Sequence, residues 1–150
     1  ITLFGVSMGG ATVMMASGEE TLPKQVVNIV EDCGYSSVWD ELKYQAKAMY
    51  NLPAFPILYE VSAVSKVRAG FSYGQASCVK QLKNNTRPIL FIHGSEDKFV
   101  PTSMVYKNYR ATNSEKDLYI AKGAAHAKSF ESDPKTYIEK ISAFLQKNEK

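Results

Sequence analysis

Ser7, Asp97 and His126 are the residues of this chain whose types and surroundings suit acyl transfer. Ser7 stands at the centre of Gly5-Val6-Ser7-Met8-Gly9. The apolar run Ile1-Thr2-Leu3-Phe4 precedes it, and Gly10-Ala11-Thr12-Val13-Met14-Met15-Ala16, which reads as a helix, follows. A serine centred in G-x-S-x-G between a strand and a helix matches the nucleophile elbow, a turn tight enough to lift the hydroxyl clear of the sheet. Side chains two residues before and after the serine are expected to collide with the turning backbone, which would explain both glycines. The first N–H groups of the helix, beginning at Met8, would face negative charge developing at the serine and supply an oxyanion donor. The competing reading is a glycine-rich turn around a passive serine.

A serine hydroxyl needs a base, and the base needs an acid to hold it. The chain has two histidines. His126 lies in Lys122-Gly123-Ala124-Ala125-His126-Ala127-Lys128, just beyond the apolar run Leu118-Tyr119-Ile120-Ala121. His93 ends an apolar run and is followed by Gly94, which suits a packed or turn-supporting imidazole better than a base. The acid candidate is Asp97 in His93-Gly94-Ser95-Glu96-Asp97-Lys98-Phe99-Val100-Pro101, with Glu96 as its neighbour and competitor. Either carboxylate could instead cap the Gly94-Ser95 turn. The order Ser7, Asp97, His126 is nucleophile, acid, base, an order that differs from those of the chymotrypsin and subtilisin types. All three follow apolar runs, as they would if they sat at the carboxyl edge of a parallel sheet.

These strings resemble the α/β-hydrolase superfamily, and within it the bacterial serine hydrolases grouped with the serine aminopeptidases and the BEM46-like hydrolases. Glu31-Asp32-Cys33-Gly34-Tyr35-Ser36-Ser37-Val38-Trp39-Asp40-Glu41 resembles the segment leaving the sixth strand of that branch. The resemblance implies hydrolysis of an ester, thioester or amide through an acyl-enzyme, with a small acyl or peptide substrate and neither cofactor nor metal. It also implies four further strands before the elbow, and a second oxyanion donor from the loop after the third of them. On that reading the chain is the C-terminal half of a hydrolase domain, expected to be inactive alone. Any leader or anchor would precede Ile1, so a cytoplasmic and a membrane-anchored location both stay open. A reading of another class also survives: a binding protein that keeps the fold around a vestigial site.

The elements that must position these residues alternate along the chain. Ile1–Phe4, Val26–Glu31, Pro88–Ile92 and Asp117–Ala121 read as strands of the continuous apolar kind found in parallel sheets covered on both faces. Gly9–Ser17 and Ser103–Ala111 read as helices, and a last helix opens at Asp133-Pro134. Its Tyr137, Ile138, Ile141, Phe144 and Leu145 form one apolar stripe expected to be buried. The predicted class is therefore α/β: residues 1–150 as part of one hydrolase domain, with four parallel strands and crossover helices on both faces. Residues 35–86 interrupt the alternation with helices at Val38–Ala46 and Ile57–Val67 around Asn51-Leu52-Pro53-Ala54-Phe55-Pro56. That excursion is too long for an ordinary crossover and reads as a helical cap. Met49, Tyr50, Leu52, Phe55, Leu58 and Tyr59 would form either a wall for the substrate or the cap's own core.

Composition narrows the partners. The net charge of +3 comes from 18 basic and 15 acidic residues without a long basic run, so no nucleic-acid surface is indicated. Cys33 and Cys78 are too few and too far apart for a metal site or a disulfide framework and read as small apolar residues. The strand Ile1–Phe4, with one edge bare, invites pairing with a second copy. The chain by itself should sediment as a self-associated species, and a clean monomer at high concentration would contradict this expectation.

Overall fold

The computed structural model describes residues 1–148, so the last two positions of the expected 1–150 domain lie outside the described residues. Four strands, β1 (Thr2–Val6), β2 (Asn28–Asp32), β3 (Ile89–Gly94) and β4 (Lys116–Ala121), form one sheet in the order β1-β2-β3-β4. Every neighbouring pair is parallel, with Phe4 beside Val30, Val30 beside Leu90 and Leu90 beside Asp117. The two central strands are buried along their whole length, which accounts for the continuous apolar run Ile89–Ile92 of β3, while β2 buries Asn28, Glu31 and Asp32 beside Ile29 and Val30. β1 and β4 are edges among the described residues, and Ile1, Phe4 and Val6 are exposed.

Alternation along the central strands sends side chains to two separate cores. Ile29, Ile89 and Phe91 pack against α1 (Met8–Ser17), α4 (Cys78–Leu82) and α5 (Ser103–Ala111) through Ala11, Met14, Cys78, Leu82 and Val105. Val30, Leu90 and Ile92 face away from them, toward Tyr137 and Phe144 of α7 (Pro134–Asn148). Helices thus cover both faces, but not as expected. The crossover helices α1, α4 and α5 share one face, and the opposite face is covered by the helix after the last strand. The expected stripe on α7 is also narrower: Tyr137 and Phe144 are buried, but Ile138, one residue round the helix from Tyr137, is 55% exposed.

The excursion contains α2 (Val38–Tyr50) and α3 (Ile57–Ala69). α2 opens on Ser37, whose hydroxyl accepts the Asp40 N–H, and runs four residues further than the sequence suggested. It stops at Asn51, which takes the left-handed conformation, φ 51°, and closes the helix. Met49, Tyr50, Leu52, Phe55 and Tyr59 are exposed, so they are not the packed interior of a self-contained cap. A short helix, α6 (Ser129–Ser132), which the sequence reading lacked, joins β4 to α7. No helix among the described residues is long and apolar enough to cross a membrane.

The alternation that buries Ile29 also sends Glu31 into the α1 face, wholly buried, where Oε2 accepts the Gly34 N–H and Oε1 has no partner. Burial pushes its carboxyl well above the ordinary glutamate range, and the neighbouring Asp32 charge adds to the rise. The folded protein therefore holds a proton there that the unfolded chain gives up. This group's contribution to stability is full below the ordinary glutamate pKa and is lost as pH rises toward the folded value. Glu31→Gln imitates the protonated acid without the titration. Denaturant unfolding across pH 4–8 should show Glu31→Gln gaining steadily on the parent protein as pH rises; a constant difference would contradict the assignment.

Candidate active site

The carboxyl ends of β1, β3 and β4 deliver Ser7, Asp97 and His126 to one place. Ser7 follows β1 directly and adopts φ 56° and ψ −117°, a conformation that costs a non-glycine residue about 1–3 kcal/mol. Three contacts hold it there. Its N–H donates to the Asp32 carbonyl at 2.8 Å, its own carbonyl accepts the Ala11 N–H at 3.0 Å, and its hydroxyl meets His126 Nε2 at 2.8 Å. Met8 is the first residue of α1, so its N–H has no carbonyl within the helix to bond and remains available beside the hydroxyl.

The two elbow glycines are not equivalent. A Cβ on Gly5 would meet the Gly9 carbonyl oxygen at 2.2 Å, so strand and helix touch backbone to backbone there. A Cβ on Gly9 would meet nothing within 4 Å. The expectation that both positions need glycine for space is therefore corrected: the crowding falls on Gly5 alone.

Asp97 and His126 come from loops that are fastened together. Ser95 N–H donates to the Ala121 carbonyl, Glu96 N–H to the Ala124 carbonyl, and Gly123 N–H to the Ser95 hydroxyl. Gly94 lets the loops close, since a Cβ there would lie 2.3 Å from the Ala124 oxygen. Asp97 Oδ2 accepts from His126 Nδ1 at 2.8 Å, and Oδ1 accepts the Phe99 and Val100 N–H groups at 2.9 Å each. Glu96 is exposed, so the structure brings Asp97 and not Glu96 to the imidazole. Burial works against the Asp97 charge. Hydrogen bonds from His93, His126 and the Val100 N–H outweigh it, and the carboxyl titrates below its usual range. With Nδ1–H given to Asp97, the free lone pair of His126 lies on Nε2, facing the Ser7 hydroxyl.

Further residues complete the surroundings, His93 in the turn-supporting place its sequence suggests, and Asp32 and Phe99 in places the sequence does not mark. His93 is fully buried, with Nε2 2.9 Å from the Val100 carbonyl and 3.3 Å from Asp97 Oδ2; it supports the acid's turn and is remote from Ser7 in role. Asp32 accepts from the Ser129 hydroxyl at 2.9 Å and the Tyr137 hydroxyl at 3.0 Å, while its carbonyl holds Ser7. Burial raises its carboxyl despite those two bonds. Phe99 lays its ring 4.9 Å from that of His126. Among the described residues, four non-glycine residues have positive φ: Ser7 (φ 56°), Cys33 (φ 50°) and Ala127 (φ 55°) adjoin this site, and Asn51 closes α2.

Cys33, Asp97 and His126 offer donor atoms within 4.8 Å of one another, the set best suited to a metal among the described residues. Burial, with the Asp32 charge second, pushes the Cys33 thiol up to about 12, and Asp97 and His126 are bonded to each other. We therefore assign no metal. Cys33 and Cys78 are free and buried, as their reading as small apolar residues requires.

No protein-family model matches the sequence. The Bacillus subtilis (strain 168) protein YqkD is 30% identical over 145 residues, which are 97% of this chain and 47% of YqkD. The chain thus spans about half the length of this curated relative. Among solved structures, the Pyrococcus horikoshii acylaminoacyl peptidase superposes with a TM-score of 0.70 at 20% identity, over 99% of this chain and 24% of that one. The Pyrococcus furiosus esterase Pf2001 gives 0.67 at 20% identity, over 99% and 53%. MGS-MChE2, an α/β-hydrolase enzyme from the metagenome of Mar Chica lagoon sediments in Morocco, gives 0.65 at 21% identity, over 98% and 61%. Four parallel strands with these flanking helices, matched over nearly the whole chain, place it in the α/β-hydrolase fold.

The asymmetry of the elbow is open to a direct test. Gly5→Ala forces backbone apart and should destabilise by about 1–3 kcal/mol. Gly9→Ala sits in the first turn of α1 with room to spare and should be neutral or stabilising by up to about 1 kcal/mol. Chemical denaturation of both variants checks the pair; equal losses would contradict the geometry.

Proposed function

We propose that the protein is a serine hydrolase that cleaves an ester, thioester or amide of a small acyl or peptide substrate through an acyl-enzyme. The observation that carries this reading is the unbroken chain of two 2.8 Å contacts, Ser7 Oγ to His126 Nε2 and His126 Nδ1 to Asp97 Oδ2. As Ser7 Oγ bonds to the substrate carbonyl carbon, its proton passes to Nε2, and the imidazolium so formed is held by the Asp97 carboxylate. The substrate oxygen takes the negative charge and receives the Met8 N–H. The imidazolium then protonates the leaving group as its bond to the carbonyl carbon breaks. Water next attacks the acyl-enzyme with His126 again as base, which releases the acid and restores Ser7. The fold of the esterase and peptidase relatives supports the general class, and the choice among ester, thioester and amide rests with the substrate pocket. The excursion at residues 35–86 is proposed as a cap over the site.

In the intact protein, a fluorophosphonate probe should label Ser7, located by peptide mass spectrometry. Ser7→Ala and His126→Ala should each lower kcat by about four orders of magnitude or more, and the double variant should lose little beyond either. An unlabelled Ser7, or losses that multiply, would sink the mechanism.

A further inference from the structure

Asp97 Oδ1 is held by two N–H groups, and each belongs to a peptide group whose other end is taken by a side chain of α2. The Phe99 N–H, 2.9 Å from Oδ1, shares its peptide group with the Lys98 carbonyl, which accepts the Tyr44 hydroxyl at 2.8 Å. The Val100 N–H, also 2.9 Å from Oδ1, shares its peptide group with the Phe99 carbonyl, which accepts Gln45 Nε2 at 2.7 Å. Gln45 is itself steadied by the buried Glu41, whose Oε1 accepts the same carboxamide nitrogen at 2.9 Å. Two adjacent residues of the excursion thus reach the acid through two consecutive peptide groups. Neither side chain hydrogen-bonds to His126 or Ser7.

We propose that Tyr44 and Gln45 are positioning residues for hydrolysis, fixing the Asp97 carboxylate through the Lys98–Phe99 and Phe99–Val100 peptides. This rests on the serine-hydrolase reading of the site. Two physical effects support it. A hydrogen bond accepted by a peptide carbonyl polarises the group and makes its N–H a stronger donor, so both bonds to Oδ1 strengthen when α2 is engaged. Both peptides also lie in a turn outside the sheet, and a carboxylate held at Oδ1 presents Oδ2 to His126 in one orientation. The catalytic acid therefore depends on where α2 sits, although α2 belongs to the excursion and not to the sheet.

The test uses the intact protein with Tyr44→Phe, Gln45→Met and the double variant, and each again in an Asp97→Asn background. Tyr44→Phe keeps the ring and Gln45→Met the side-chain length, so thermal melting can verify that both variants fold. Each single change should lower kcat about three- to tenfold with KM within a factor of two, and the double variant should lose more. In the Asp97→Asn background the same changes should cost less than twofold, because their route to the imidazole runs through that carboxylate. Equal losses in both backgrounds, or a rise in KM with kcat unchanged, would overturn the proposal. Amide hydrogen exchange provides a reading free of turnover. The Phe99 and Val100 N–H groups should exchange at least tenfold faster in the double variant, and unchanged protection would overturn the proposal even if no hydrolysis were detected. Absence of turnover in the unaltered protein would instead count against the serine-hydrolase reading.

Discussion

Ser7 stands at φ 56° because β1 and α1 are pressed together where Gly5 meets the Gly9 carbonyl. The closeness of that contact decides the rest. It turns the chain so sharply that the Ser7 hydroxyl leaves the sheet plane and the Met8 N–H comes round beside it. The conformational cost is met by bonds from outside the elbow, to the Asp32 carbonyl on one side and to the His126 imidazole on the other. Cys33 and Ala127, the neighbours of those two partners, are likewise held at positive φ. Apart from Asn51, which closes α2, the positive-φ residues other than glycine thus gather where three strand ends converge.

Parallel pairing explains why the site could be read from the chain at all. Every strand ends at the same edge, so a reactive side chain just after an apolar run is committed to that edge before any contact is known. Ser7, Asp97 and His126 each follow such a run, and β1, β2, β3 and β4 lie within a residue or two of where the runs place them. Residues whose roles depend on distant partners left no local trace. Asp32 looks like the end of a strand until Ser129 and Tyr137 are seen to reach it across 97 and 105 residues. The sequence favours Asp97 over its neighbour Glu96, but the physical ground is visible only in the backbone turn that gives Asp97 the Phe99 and Val100 N–H groups. The exposure of Ile138 and of the aromatic residues in the excursion follows from which neighbours are at hand, which periodicity cannot report.

The buried carboxylates fall into two kinds according to what meets them. Asp97 is surrounded by donors enough to overcome burial and stays charged. Glu31 has one backbone donor for two oxygens, and burial pushes its carboxyl well above the ordinary glutamate range. Asp97 lies just beyond β3 and Glu31 in the neighbouring β2, yet one carboxyl is shifted toward its charged form and the other toward its neutral form. The difference lies in the count of N–H groups aimed at each, since both lie within the fold.

Asp32 carries a consequence for the order in which the molecule assembles. Its main chain holds the Ser7 N–H, while its side chain is satisfied by hydroxyls from α6 and α7, 97 and 105 residues further along the chain. Until synthesis has passed Tyr137, that carboxylate can enter the sheet only by giving up water without a replacement donor. Contacts of such sequence separation close late, after local helices and hairpins have formed. During biogenesis the backbone seat of Ser7 is therefore completed only once α6 and α7 have been made and have reached Asp32.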